Sequence, residues 1–286
     1  FENIRFYKEE EINEINFSKN LSSHFEIYVN DAFSSSHRNH SSIVGIPKFL
    51  PSFAGLNFTK EINNLNNFLN KAKKPNLAII GGSKISTKIK VIYNLINFFD
   101  SIVIGGAMAN TFLLALKIDI GKSFYEKDFI KVAKDILNKA KSENCKIILP
   151  VDAVCSKTLE DNADAFKCDI DSIPDNKMNL DIGEKTTNLI LNEIIKCRSV
   201  LWNGPLGAFE FKPFDKSSIA IANQIKKSFK ELNIDSLAGG GDTLSVINLA
   251  KAKDGFNYLS NAGGAFLEWL EGDKSPGYKA LKNNKL

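Results

Sequence analysis

From about residue 75 onward one pattern recurs, and it limits the fold more than any other feature of the chain. A short apolar run rich in β-branched residues is followed by a glycine loop and then by a segment of helical period. Leu77-Ala78-Ile79-Ile80 precedes Gly81-Gly82-Ser83-Lys84 and a helix presenting Ile85, Ile89, Ile92, Leu95 and Ile96 on one face. Ile102-Val103-Ile104 precedes Gly105-Gly106-Ala107-Met108 and a helix through Phe112 and Leu116. Val200-Leu201-Trp202 leads into Asn203-Gly204-Pro205, Ser236-Leu237-Ala238 into Gly239-Gly240-Gly241-Asp242, and Tyr258-Leu259-Ser260 towards Gly263-Gly264. Between them the periodicity predicts a helix over 129–140, a strand over 146–149 and a helix over 184–195.

Repeated units of this kind predict an α/β fold built on a doubly wound parallel sheet. Right-handed crossovers then place every strand-to-helix loop on one carboxyl edge, so glycine loops far apart in sequence become neighbours. One such loop is explained by a tight turn alone. Four or five gathered on one edge point to a shared anion or nucleotide site.

The segment before residue 75 differs. Glu26-Ile27-Tyr28-Val29-Asn30 reads as a strand, followed by a polar loop, Ser34-Ser35-Ser36-His37-Arg38-Asn39-His40, and an irregular connection marked by Pro47, Pro51 and Gly55. A helix over 60–72, with Ile62, Leu65, Phe68 and Leu69 on one face, reads as a connector between two domains. A single good strand builds no core. The sequence therefore predicts a remnant of a first domain over 1–58, an interdomain helix over 59–73, a complete nucleotide-binding domain over 74–272, and a tail over 273–286 returning to the first domain. Because the chain starts at Phe1 rather than Met, it reads as partial, with an open sheet edge and apolar surface expected ahead of the connector.

Composition narrows the function classes. A chain of 286 residues, 43% hydrophobic and 24% charged, supports a substantial core and argues against disorder. Its net charge of +4 comes without a basic stripe interleaved with aromatics, so no nucleic-acid partner is expected. No apolar run approaches the roughly 20 residues of a membrane span. Cys145, Cys155, Cys168 and Cys197 form no Cys-x-x-Cys pair, and with three histidines no zinc site is expected. Scattered thiols suit a reducing cytoplasm.

Four stretches carry candidate chemistry. Gly81-Gly82-Ser83-Lys84-Ile85-Ser86-Thr87-Lys88 lacks Walker A spacing, but its two lysines, four apart, are predicted to project from one side of the first helical turn. They are either solvated or compensated by an anion at a helix end that otherwise disfavours them. Asp242 either caps the following helix or holds Mg²⁺ beside phosphates. In Trp202-Asn203-Gly204-Pro205-Leu206-Gly207-Ala208-Phe209-Glu210, the glycines and proline fix a rigid loop. There Trp202 and Phe209 offer apolar surface and Glu210 a ribose acceptor, unless the loop is packed and structural. Arg5 and the His37-Arg38-Asn39-His40 loop offer guanidinium groups to a phosphate or carboxylate, or to water. No Ser-His-Asp or Cys-His set is evident, and the absence of G-x-G-x-x-G disfavours a dinucleotide oxidoreductase.

Read in order, Asn3-Ile4-Arg5-Phe6, Tyr28-Val29-Asn30-Asp31-Ala32-Phe33, His37-Arg38-Asn39-His40, Gly81-Gly82-Ser83-Lys84, Gly105-Gly106-Ala107-Met108, Trp202-Asn203-Gly204-Pro205, Gly239-Gly240-Gly241-Asp242-Thr243 and Pro276-Gly277 resemble phosphoglycerate kinase over nearly the whole chain. The resemblance implies a two-domain, monomeric cytoplasmic enzyme of glycolysis. It moves a phosphoryl group reversibly between 1,3-bisphosphoglycerate and ADP, giving ATP and 3-phosphoglycerate, with Mg²⁺ and hinge closure. It implies that Arg5 and Arg38 contact the phosphoglycerate, Lys84 stabilises the phosphoryl group in flight, and Lys88 holds nucleotide phosphates. Gly106, Asn203, Pro205 and Gly207 would shape the nucleotide pocket, and Glu210 would meet the ribose. Gly240, Gly241 and Thr243 would cradle phosphates, with Asp242 on the metal.

The family's opening Arg-x-Asp-x-Asn strand, with further substrate-binding arginines, has no counterpart. This chain is therefore expected to bind nucleotide but to be inactive, and a non-catalytic nucleotide-binding protein is the second reading. Ala107 stands where a third glycine is common, Ser217-Ser218 replaces a usual Gly-Thr, and Asn261-Ala262 alters a usual Thr-Gly. The Cβ of Ala262 is expected to narrow the phosphate approach or to resist a positive φ.

Overall fold

The computed structural model describes residues 3–284. Contacts divide the chain into two units, one formed by residues up to 67 together with those from 261, the other by 68–260.

In the first unit, β1 (Tyr28–Asn30) pairs in parallel with β2 (Ser52–Ala54), a strand not expected from sequence because it lies in the Pro/Gly-marked connection. Val29 and Phe53 face each other across this pair and are both exposed, as are Phe6, Ile12 and Leu56. The unit is held instead by edge-on aromatic contacts of Phe33 with Phe58 and Trp269, and of Trp269 with Tyr278. Asp31 accepts from the N–H groups of Asn57 (2.6 Å) and Phe58 (3.0 Å), satisfying orphan donors at the start of the connector helix Leu56–Lys71. The closing helix, Pro276–Asn283, is started by the Ser275 cap and by Pro276. It docks through Gly277 N–H donating to the Ser36 carbonyl (2.8 Å) and Asn284 Nδ2 donating to the Pro47 carbonyl (2.7 Å). The helix Gly264–Leu270 belongs here as well, since Trp269 packs on Phe33 and donates to Asn66 Oδ1. Contacts thus group residues from 261 with the first unit.

The second unit begins with β3 (Asn76–Ile80), β4 (Ser101–Ile104) and β5 (Lys146–Ile148). A separate antiparallel sheet follows, with β6 (Asp152–Ser156) between β7 (Phe166–Asp169) and β8 (Met178–Ile182). β9 (Ser199–Asn203), β10 (Asp235–Gly239) and β11 (Tyr258–Ser260) return to the main sheet. Its order is β11-β10-β9-β3-β4-β5, and every pairing is parallel. Helices cover both faces of a doubly wound sheet, so its central strands need no polar side: all five residues of β3 and of β9 are buried. Leu77, Ile79, Val200 and Trp202 join Ile190, Ile221 and Val246 from helices in one core cluster. Each such aliphatic side chain contributes about 1.5–3 kcal/mol by its removal from water. The expected parallel architecture is thus present. The antiparallel sheet was not expected, because β7 is largely exposed and lacks a buried apolar signature.

The helix Glu184–Lys196 is started from a distance. The carboxylate of Asp152, on β6, accepts from Lys185 N (2.8 Å), Thr186 N (2.8 Å) and Thr186 Oγ1 (2.5 Å). Asp152→Ala would leave these donors unpaired. We expect a loss of about 2–3 kcal/mol, read as a lower urea midpoint for the second unit, with Asp152→Asn losing less.

Candidate functional site

From β3 the chain winds outward through β4 to β5, then returns beside β3 as β9 and winds the other way through β10 to β11. The loops after β3 and β9 therefore diverge from adjacent strands, and a crevice opens between them at the carboxyl edge. Backbone contacts define it. The N–H groups of Gly81 and Gly82 donate to the carbonyls of Asn203 (2.9 Å) and Pro205 (3.1 Å), and Gly106 N–H donates to Leu206 O (3.0 Å). The approach is too close for side chains at two positions. Gly204 sits at φ +97° with its Cα against the Gly81 backbone, and Gly106 at φ +68° against that of Gly82.

Lys84 and Lys88 do not share one side of a helical turn. Lys84 is extended (φ −123°, ψ 122°), a single 3-10 turn Ile85–Thr87 intervenes, and Lys88 sits at φ −122° before the helix Ile89–Leu95. Lys84 is consequently exposed, whereas Lys88 is buried and donates through Nζ to Asn203 Oδ1. Asn203 Nδ2 in turn donates to the Gly239 carbonyl (2.6 Å), and Gly204 N–H donates to Thr243 Oγ1 (2.7 Å). Burial pulls the Lys88 ammonium down to about 8, while the Asp242 carboxylate opposes that shift. Among the described residues Lys88 forms no ion pair within 4.0 Å.

Asp242 lies in the first turn of the helix Gly241–Leu249 and is exposed; this helix start, at Gly240 (φ +99°), has no side-chain cap. Capping, one of the two roles left open for Asp242, is not what the structure shows. The Thr243 hydroxyl accepts from the Gly204 N–H, which leaves its own O–H free to donate.

Beside this edge lies a cavity of about 350 Å³, lined by Gly106, Pro205, Gly207, Glu210 and Asp242, all anticipated, and by Ala107, Phe124, Leu159, Met178, Asn179 and Leu180, which were not. Met178–Leu180 belong to β8, and no glycine loop pointed to that strand. Trp202, expected to offer surface, is fully buried and donates Nε1–H to the Gly204 carbonyl (2.8 Å), so it braces the loop from behind. Ala262 is absent from the positive-φ positions, so its Cβ meets no such resistance, and Ala107 is helical (φ −63°).

The first unit holds its own cavity of about 310 Å³, where Arg5 and Arg38 meet Glu10, Asn30 and His40. Glu10 is buried, accepts from Ser42 N (2.8 Å) and lies 3.7 Å from His40 Nδ1. Asn30 is buried with Oδ1 accepting from Ala32 N (3.0 Å), and its Nδ2 has no partner. Nothing in the sequence separated Asn30 from its strand neighbours. Burial, then the Arg38 charge, hold the nearby His37 imidazole below its usual range.

The α/β fold and its loop-built crevice define a class of proteins that handle phosphorylated ligands. The phosphoglycerate kinase family model matches residues 1–273. The chain is 47% identical over 282 residues to the phosphoglycerate kinase of Mesorhizobium japonicum and 45% identical over 281 residues to that of Brucella abortus, covering 99% and 98% of this chain and 71% of each relative. The structure of phosphoglycerate kinase from Coxiella burnetii superposes with a TM-score of 0.89 at 36% identity, and that from Pyrococcus horikoshii with 0.83 at 28%; both matches cover 98% of this chain and 71% of the other. The chain belongs to the phosphoglycerate kinase family, kinases that act on a carboxyl group.

Two glycines separate packing from ligand chemistry. Gly204→Ala is expected to cost more than about 2 kcal/mol of stability, since its positive φ and the Gly81 backbone both resist a Cβ. Gly241 has open space where a methyl group would stand, with no other atom within 4 Å, and should accept alanine with an unchanged melting temperature. Differential scanning fluorimetry of the two variants checks the contrast.

Proposed function

We propose that the full-length enzyme carries out the phosphoglycerate kinase reaction of glycolysis, with ADP or ATP on the second unit and 3-phosphoglycerate or 1,3-bisphosphoglycerate on the first, and that this chain binds nucleotide without turnover. The observation that carries the nucleotide assignment is Lys88, a buried ammonium at the carboxyl edge whose local electrostatics are shaped by burial and by exposed Asp242. Such a cation suits a polyphosphate. The apolar walls formed by Phe124, Leu159 and Met178 suit a purine, with Glu210 at the rim for the ribose hydroxyls. Gly240 and Gly241 open the helix at which phosphate oxygens would sit.

Mg²⁺ fits the donors. Among the described residues no group of three or more His, Cys, Asp or Glu forms a cage. A lone exposed carboxylate suits an ion that keeps its waters and rides on substrate phosphates. Asp242 would hold it, and its chemistry would be to neutralise phosphate charge.

On the first unit, Arg5 and Arg38 supply planar donors for phosphate and carboxylate oxygens. Phosphoryl transfer needs alignment and charge neutralisation rather than a covalent nucleophile, and exposed Lys84 is the residue we assign to the transferring group. The chain acts as a monomer in the cytoplasm on this reading, and no helix among the described residues is long and apolar enough to cross a membrane.

Calorimetric titration with Mg-ADP tests the assignment. Saturable binding, weakened about tenfold or more by Asp242→Ala, supports it; binding of NADH in place of ADP would overturn it. Lys88 starts below its free value of 10.5, so its charge is present below about 8 and is lost as pH rises through that value. Mg-ADP affinity should therefore fall above pH 8, and Lys88→Met should abolish that component. In the full-length enzyme, ATP formation from 1,3-bisphosphoglycerate should lose on the order of 3 kcal/mol of transition-state stabilisation with Lys84→Ala, read from kcat.

A further inference from the structure

One polar side chain in the nucleotide cavity has no task in the reaction. Met178, Asn179 and Leu180 of β8 line the 350 Å³ cavity, and Asn179 is the only side-chain amide among the described residues that do so. Asp181 pairs with Val154 and Asn179 with Cys155, so Leu180 is an extra residue in the strand. Such a bulge re-aims side chains, and here it lets successive residues of one strand border the same space. Asn179 lies opposite Cys155, which packs with Leu113 of the helix Met108–Ala115, so its amide is turned towards that helix.

A relay of hydrogen bonds fixes which end of the amide points where. Asn110, on the same helix and fully buried, donates through Nδ2 to the Phe124 carbonyl (3.0 Å). A carbonyl only accepts, so Asn110 keeps Nδ2 there and offers Oδ1 on its other side. That oxygen accepts from Asn179 Nδ2 (3.0 Å), which leaves Asn179 Oδ1 without a donor among the described residues. Reversing either amide would set like groups against each other. The Asn179 backbone is pinned as well, its N–H donating to Ser123 Oγ (2.8 Å). The cavity wall therefore holds an acceptor whose place and polarity are both set in advance.

We propose that Asn179 is a specificity-determining residue that reads position 6 of a bound purine, selecting an amino group over an oxo group, and that Asn110 is the residue that positions it. The inference rests on the nucleotide reading above. With Glu210 at the ribose and Gly240, Gly241 and Asp242 at the phosphates, the six-membered ring of the base is the part that reaches the wall of Phe124, Met178 and Asn179. Adenine carries a donor at position 6, whereas guanine and hypoxanthine carry an acceptor there. The donor extends the relay from the Phe124 carbonyl through both asparagines to the base. An oxo group instead opposes Oδ1, and turning the Asn179 amide to meet it breaks the bond to Asn110. Apolar walls alone discriminate weakly between bases of the same shape, so the selectivity lies with this oxygen.

Calorimetric titration of the chain with Mg-ADP and Mg-IDP tests the inference, since these nucleotides differ only at position 6 and at the adjoining N1 proton. The expected result is ADP binding about tenfold or more tighter than IDP binding. Asn179→Leu keeps the size and removes the acceptor, and should bring the two affinities to within about twofold through lost ADP affinity. Asn110→Leu should narrow the ratio by the other route, through gained IDP affinity, because an Asn179 freed from the relay can turn Nδ2 to the oxo group. Equal ADP and IDP affinity in the wild-type chain, or an unchanged ratio in Asn179→Leu, would overturn the inference while leaving the nucleotide reading intact. Absence of binding of either nucleotide by the folded wild-type chain would overturn that reading and this inference with it. Should the leucine variants fail to fold, the wild-type chain and the diphosphate of purine riboside, which has only hydrogen at position 6, decide. Binding about tenfold weaker than that of ADP supports the inference, and equal binding rejects it.

Discussion

The N–H groups of Gly81 and Gly82 donate to the carbonyls of Asn203 and Pro205, and the approach these bonds require decides what else can stand at the carboxyl edge. Two loops that touch through their backbones have no room for side chains at the seam. Functional groups are therefore displaced to its margins: Lys88 bonds to Asn203, and Asp242 and Glu210 line the adjoining cavity. The switch in winding direction between β3 and β9 makes this seam possible, because only there do neighbouring strands send their chains to opposite sides.

The seam also explains an otherwise unfavourable choice. Burying an ammonium costs solvation that Asn203, a neutral acceptor, restores only in part. The fold tolerates this because the rest of the edge is rigid. Trp202 fills the space behind the loop, Thr243 fixes Gly204, and Asn203 is tied to β10 through Gly239. A positive centre held so firmly gains most from a ligand that brings negative charge without requiring the protein to rearrange.

Much of this was legible in the sequence. Buried strands leave continuous apolar runs, and tight strand-to-helix turns leave glycines, so all six parallel strands and the gathering of their loops could be read in advance. What escaped was set by tertiary contact. In the β6–β8 sheet, β7 is largely exposed and β8 only half-buried over its first three residues, so they carry no such imprint, although β8 supplies one wall of the cavity. Lysines four apart look coplanar on an ideal helix, but the 3-10 turn at Ile85–Thr87 breaks that geometry and sends one inward. Trp202 looked like surface because its neighbours are loop residues, yet strand β9 carries it into the core. Backbone dihedrals at Ala107 and Ala262 depend on how each loop enters its helix, which no local string encodes.

The first unit is stitched from two stretches of chain separated by the whole of the second. Asn284 bonds to the carbonyls of Pro47 and Leu50 across sequence separations of 237 and 234 residues. During synthesis, at roughly 5–20 residues per second, the second unit has all its strands once Ser260 leaves the ribosome. Ser36, Pro47 and Leu50 are made far earlier and wait for the closing helix to arrive. For that interval the nascent chain carries a finished parallel sheet and an unfinished aromatic cluster, in which Phe33 is not yet covered by Trp269.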